Sequence, residues 1–110
     1  MIEQYDREGK PISMDEFARL LAADEDYKRV ALTQVGPYEI STVWLGIDHG
    51  FGRGRPLIFE TMVFASPEFK HDMDCRRWHT EAEALAGHEE IVTLVRATTQ
   101  EEFDEPDAEA

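Results

Sequence analysis

From Ala84 onward the apolar residues recur at the spacing of a helix: Ala84, Leu85, His88, Ile91, Val92 and Val95. That period leaves one apolar stripe on an otherwise polar cylinder and predicts a helix over residues 81–97. Thr80, Glu81, Ala82 and Glu83 supply a capping box in front of it, the threonine hydroxyl taking one orphan amide and the glutamate another. A helix of this length gains most of its stability from packing, so the rest of the chain must offer an apolar surface to cover the stripe.

Three strand-like segments supply it. Residues 28–35 alternate, with Val30 and Leu32 on one face and Ala31, Thr33 and Val35 on the other, until Gly36 and Pro37 break the run. Residues 38–47 are rich in β-branched and aromatic side chains, with Ile40, Thr42 and Trp44 opposed to Ser41, Val43, Leu45 and Ile47. Residues 57–64 set Leu57, Phe59, Thr61 and Val63 against Ile58, Glu60, Met62 and Phe64. Short links between consecutive strands favour an antiparallel meander. Ahead of them, Ser13, Met14, Asp15 and Glu16 form a second capping box, and Phe17, Leu20 and Leu21 share a helix face, which predicts a short helix over residues 14–23. The acids Asp24, Glu25 and Asp26 oppose the dipole at its end and should stop it. Residues 65–79 read as an irregular connector. The expected fold is α+β: a three-stranded antiparallel meander with a short N-terminal helix and a longer C-terminal helix packed on the sheet. It forms one domain over residues 1–98, followed by a disordered acidic tail over residues 99–110.

Charge and composition narrow the function classes. Of 110 residues, 24 are acidic and 11 basic, a net charge of −13, and residues 101–110 hold six acids and no base. Such a chain repels phosphates and is a poor nucleic-acid ligand, but it suits a basic surface on another protein. No apolar run approaches the length of a membrane span, and the polar N-terminus lacks the form of a signal peptide, which points to the cytoplasm. The single cysteine, Cys75, cannot form an internal disulfide and fits a reducing compartment.

Several groups of residues are candidates for chemistry. His71, Cys75 and His79 have ligand chemistry suited to zinc, His and Cys four apart sharing one side of a helical turn, with Asp48 or His49 as a further ligand. The spacing matches no metal motif, and a chance cluster in a polar connector is the stronger reading. Arg76 and Arg77 flank Cys75 and would favour its thiolate, yet no motif places a general base beside it. In the loop over residues 48–56, three glycines allow amides to converge on an anion or a partner, with His49, Phe51, Arg53 and Arg55 as binding residues. The loop has neither a dinucleotide nor a Walker pattern, and turn geometry alone explains its glycines. Asp48, His49, Glu60 and His88 are the weak candidates for acid–base catalysis. A buried Glu60 would need a partner, either His88 or an arginine. No cofactor-binding pattern is present.

Certain stretches carry a resemblance. They are Tyr5-Asp6-Arg7 with Lys10-Pro11-Ile12, then Ser41-Thr42-Val43-Trp44-Leu45-Gly46-Ile47-Asp48-His49. Two more follow, Pro56-Leu57-Ile58-Phe59-Glu60-Thr61-Met62-Val63-Phe64 and Glu83-Ala84-Leu85-Ala86-Gly87-His88. In these the chain resembles a family of short proteins of actinobacteria and their phages, which has no established activity. The stretch from His71 to His79 lies outside the shared motifs. The resemblance implies a phage or prophage setting, in which small acidic proteins bind host or phage proteins and some resemble inhibitors of bacterial defence, anti-CRISPR proteins among them. The expectation is a binding module for a host or phage protein with a basic surface. The alternatives are a small ligand- or metal-binding enzyme using Asp48, His49, Glu60 and His88, and a self-associating accessory subunit.

Overall fold

A computed structural model of the chain describes residues 3–23, 25–48, 54–64 and 72–104. It opens with a two-residue hairpin, β1 (Gln4–Tyr5) and β2 (Pro11–Ile12). The turn between them is held by Asp6, whose Oδ1 accepts the amides of Glu8 and Lys10 at 3.0 and 2.9 Å. Helix α1 (Met14–Ala22) begins where the capping box predicts, with Ser13 Oγ taking the Glu16 amide at 3.1 Å. The Glu16 carboxylate itself pairs with Arg19. Past a break at Ala23, a single turn α2 (Glu25–Lys28) leads into the sheet.

That sheet is antiparallel and has four strands rather than three, in the order β3 (Arg29–Val35), β4 (Tyr38–Trp44), β5 (Phe59–Phe64) and β6 (Asp72–Trp78). The unexpected strand, β6, falls in the stretch read as an irregular connector. Its residues are poor strand formers on their own, and it exists because β5 gives it a partner from Phe59↔Trp78 to Phe64↔Asp72. One further reading changes at β3. A bulge between Arg29 and Ala31 interrupts the alternation, so Val30 joins the core while Leu32 remains 45% exposed.

Helix α3 (Glu81–Asp104) lies across the face carrying Ile40, Thr42 and Trp44 of β4 and Phe59, Thr61 and Val63 of β5, all buried. From the predicted stripe Ala84, His88, Ile91 and Val92 are buried, whereas Leu85 sits at its margin and is exposed. Phe17, Trp44, Ile58, Phe59 and Ala84 form one apolar cluster, and Ile40, Val63, Ile91 and Val92 a second. Gly87 permits the close approach of helix to sheet: a Cβ there would lie 2.2 Å from the Trp78 ring. The helix continues to Asp104, beyond residue 97, because no breaker interrupts the polar run before Pro106. Among the described residues, no helix is long and apolar enough to cross a membrane.

Candidate functional site

The hairpin, α2 and the start of α3 meet around one arginine. The Arg7 guanidinium forks onto the Glu81 carboxylate, Nε to Oε1 at 3.0 Å and one NH2 to Oε2 at 2.6 Å. Its remaining terminal nitrogen donates to the carbonyls of Tyr27 at 3.0 Å and Asp26 at 3.4 Å, and the group lies over the Tyr27 ring, 5.6 Å from its centre. The Tyr27 hydroxyl in turn accepts the Arg7 amide at 3.0 Å. Glu81 holds the guanidinium charge firmly, raising the Arg7 pKa against the opposing effect of burial. Burial raises the Tyr27 phenol as well.

Beside this knot lies a cleft between the hairpin turn, Arg55–Pro56 and the N-terminus of α3. It comprises two adjoining hollows of about 280 and 200 Å³ that share Glu8, Gly9, His79 and Thr80 in their walls. Thr80 Oγ1 caps α3 by accepting the Glu83 amide at 3.1 Å, while Glu83 Oε1 takes the His79 amide at 3.1 Å. His79 Nδ1 is 3.2 Å from the Pro56 carbonyl, which can only accept, so that nitrogen carries the proton and Nε2 is the acceptor of the neutral ring. Arg55 reaches Glu83 at 3.6 Å. The cleft is mixed in charge, and its two arginines, Arg7 and Arg55, are matched with Glu81 and Glu83. It can seat a small polar group, but among the described residues it holds no nucleophile with a base beside it.

The expected acid–base group does not converge. Glu60 and His88 lie on opposite faces of the sheet. On the face away from α3, Glu60 Oε2 accepts from Arg77 Nε at 3.0 Å and from the Cys75 thiol at 3.2 Å. Its partner is thus the arginine facing it across β5 and β6, and not His88. Arg77, expected to activate Cys75, is engaged by that carboxylate. Under α3, the 1% exposed His88 bonds Thr42 through Nδ1 at 2.7 Å and Thr33 through Nε2 at 2.9 Å. Thr42 continues to Thr61 at 2.5 Å, and Trp78 Nε1 donates to Thr61 at 3.0 Å. Burial pushes the His88 pKa down, since a charged imidazole there would lose its water. Every hydroxyl in this chain can donate or accept, so the neutral ring is satisfied in either tautomer. His88 is a structural core residue. Asp48 Oδ1 accepts the Leu57 amide at 3.0 Å and so ties down the entry to β5.

The zinc reading fails on geometry. Cys75 lies within a strand and His79 just past its end, so four residues separate them by roughly 13 Å instead of by one helical turn. His71, like His49, Phe51 and Arg53 of the loop, lies outside the described residues. Among the described residues, no group of three or more His, Cys, Asp or Glu could hold a metal ion. Of the candidates, the cleft brings together Arg55 and His79. Sequence reasoning missed Arg7 and Glu81, 74 positions apart with no local pattern linking them, and Tyr5 and Arg7 stood out only within the family-like motif. No family model, curated protein or solved structure matches the chain.

Proposed function

We propose that this chain is a small acidic binding module of phage or prophage origin, acting in the cytoplasm by docking on a basic surface of a host or phage protein. An inhibitor of a host defence or nucleic-acid-binding protein, of the anti-CRISPR kind, is its sharpest form. One observation carries the reading: the acids outnumber the bases by 24 to 11, and four arginines are already committed to carboxylates within the fold. Those pairs are Arg7–Glu81, Arg19–Glu16, Arg55–Glu83 and Arg77–Glu60. The surplus acids, with Glu89 and Glu90 exposed on α3 and Asp15 on α1, are left to give the surface a negative field. Such a field mimics the phosphate backbone that a nucleic-acid-binding protein is built to accept. The described titratable groups support binding over catalysis, because those with perturbed or buried environments are engaged in structural bonds.

The test is affinity capture from a bacterial host lysate followed by competition with duplex DNA. Retained basic proteins that DNA displaces support the reading. Retained basic proteins indifferent to DNA refute the inhibitor form, and no retained protein at all refutes the reading.

A further inference from the structure

Strand β6 is the last strand of the sheet, and among the described residues nothing pairs with its outer side. Helix α3 lies chiefly over β3 and β4 and touches β6 least, so the rim is not roofed. Cys75, Arg76 and Arg77 are exposed along it. Edges are guarded against pairing by proline, by charges or by a bulge. This one has no proline, and its charges, being of both signs, need not repel a second copy of the same strand. It reads Asp72-Met73-Asp74-Cys75-Arg76-Arg77-Trp78, acids in the first half and bases in the second, in a chain that is otherwise strongly acidic.

A strand whose charge reverses about its midpoint is complementary to its own antiparallel copy. We propose that the chain forms a two-fold dimer by pairing β6 with β6 of a second copy, centred on Cys75, to give one continuous eight-stranded sheet. The register follows from charge. In a two-fold antiparallel pair, opposed residues share a sheet face, so the axis passes through a single residue position. Centred on Arg76, the pairing opposes two arginines and gains no opposite-charge pair. Centred on Asp74, it opposes two aspartates, and the Asp72–Arg76 contacts it gains use the end of the strand where the β5–β6 register is already broken between Val63 and Phe64. Centred on Cys75, it sets Asp74 opposite Arg76 of the second copy twice over and opposes no like charges. Both copies of α3 then lie on the same side of the joined sheet, each set back from the seam. The two Cys75 positions fall directly opposite one another. Their Cα atoms would be about 4.5 or 5.5 Å apart according to the type of pair, within the reach of a disulfide. The dimer is independent of the partner-binding reading, since it uses the one strand where charge balances instead of the acidic surplus.

The experiment is sedimentation equilibrium of the full chain, with circular dichroism to confirm that each variant folds. The wild type should show a reversible monomer–dimer equilibrium. Arg76→Glu replaces two opposite-charge contacts by two like-charge ones and should weaken the dimer about tenfold. The double variant Asp74→Lys/Arg76→Glu reverses the order of charge and should restore the wild-type constant. Mild air oxidation, in which dioxygen takes two electrons and two protons from the paired thiols to leave one S–S bond and peroxide, should cross-link the wild type through Cys75 and leave the charge-reversed single variant largely monomeric. A wild type that stays monomeric at every concentration overturns the proposal. So does a dimer whose constant ignores Arg76→Glu, or a folded double variant that fails to regain the dimer.

Discussion

Replacing His88 by alanine tests the structural role assigned to the buried polar chain. The ring sits 1% exposed between helix and sheet and spans Thr42 on β4 and Thr33 on β3. Its removal deletes two hydrogen bonds, each contributing about 1 kcal/mol. Thr42 keeps Thr61 as a partner, and Thr33 is half-buried, so water can reach it. The void left by the imidazole adds about 1–2 kcal/mol, for a total of about 3–4 kcal/mol. In a domain of this size that lowers Tm by about 12–32 °C. Urea unfolding followed by tryptophan fluorescence is a suitable assay, because Trp78 bonds Thr61 within the same chain. His88→Leu fills the space and should cost less than alanine. The pH dependence has a definite sign. The folded pKa is lowered, so below about 6.5 the unfolded imidazole binds a proton that the native one refuses. Wild-type stability therefore falls as pH drops from about 6.5 through the folded pKa, and His88→Leu should lose that part of the slope. An alanine variant destabilised by less than about 1 kcal/mol, with the acid slope unchanged in His88→Leu, would rule out this structural role for His88.

Other substitutions separate the remaining elements. Gly87→Ala should destabilise by about 1–3 kcal/mol in thermal unfolding although alanine is the better helix former, because its Cβ meets a Trp78 ring anchored at Nε1. Arg7→Ala should cost about 1–3 kcal/mol and speed hydrogen exchange at the Tyr5 amide, which bonds the Gly46 carbonyl at 2.7 Å, as the hairpin loses its tie to α3. Glu60→Ala leaves Arg77 and Cys75 without their shared acceptor, and faster exchange in β6 than in β4 is the expected readout. Glu89→Gln with Glu90→Gln should leave stability within about 0.5 kcal/mol while lowering the salt concentration at which a captured partner is released.

Some of this was legible in the sequence, where local chemistry decides the outcome. The serine and threonine caps announced the starts of α1 and α3, and the alternation in β4 and β5 picked out the two faces correctly. The rest depends on residues far apart. β6 is polar and charged, and it is a strand only because β5 pairs with it, so no window of its own sequence could reveal it. Glu60's partner was hidden with it, since Arg77 faces Glu60 only once β6 is in register. His88 stood out as a polar residue on an apolar stripe, yet its threonine partners lie on two strands that nothing in the helix specifies. The acids that should have ended a helix after Ala23 do coincide with a break, whereas Glu101, Glu102 and Asp104 do not prevent α3 from running on. A dipole contribution of about 0.3–1 kcal/mol per charge is too small to stop an established helix by itself.

The partner-binding claim is tested most directly by capturing proteins from a host lysate on the tagged chain along a graded series of salt concentrations. A basic partner should be retained at low salt and released as screening rises, and released earlier from the Glu89→Gln/Glu90→Gln variant. A partner retained equally at every salt and by both forms of the chain, or no partner at any salt, would contradict the claim.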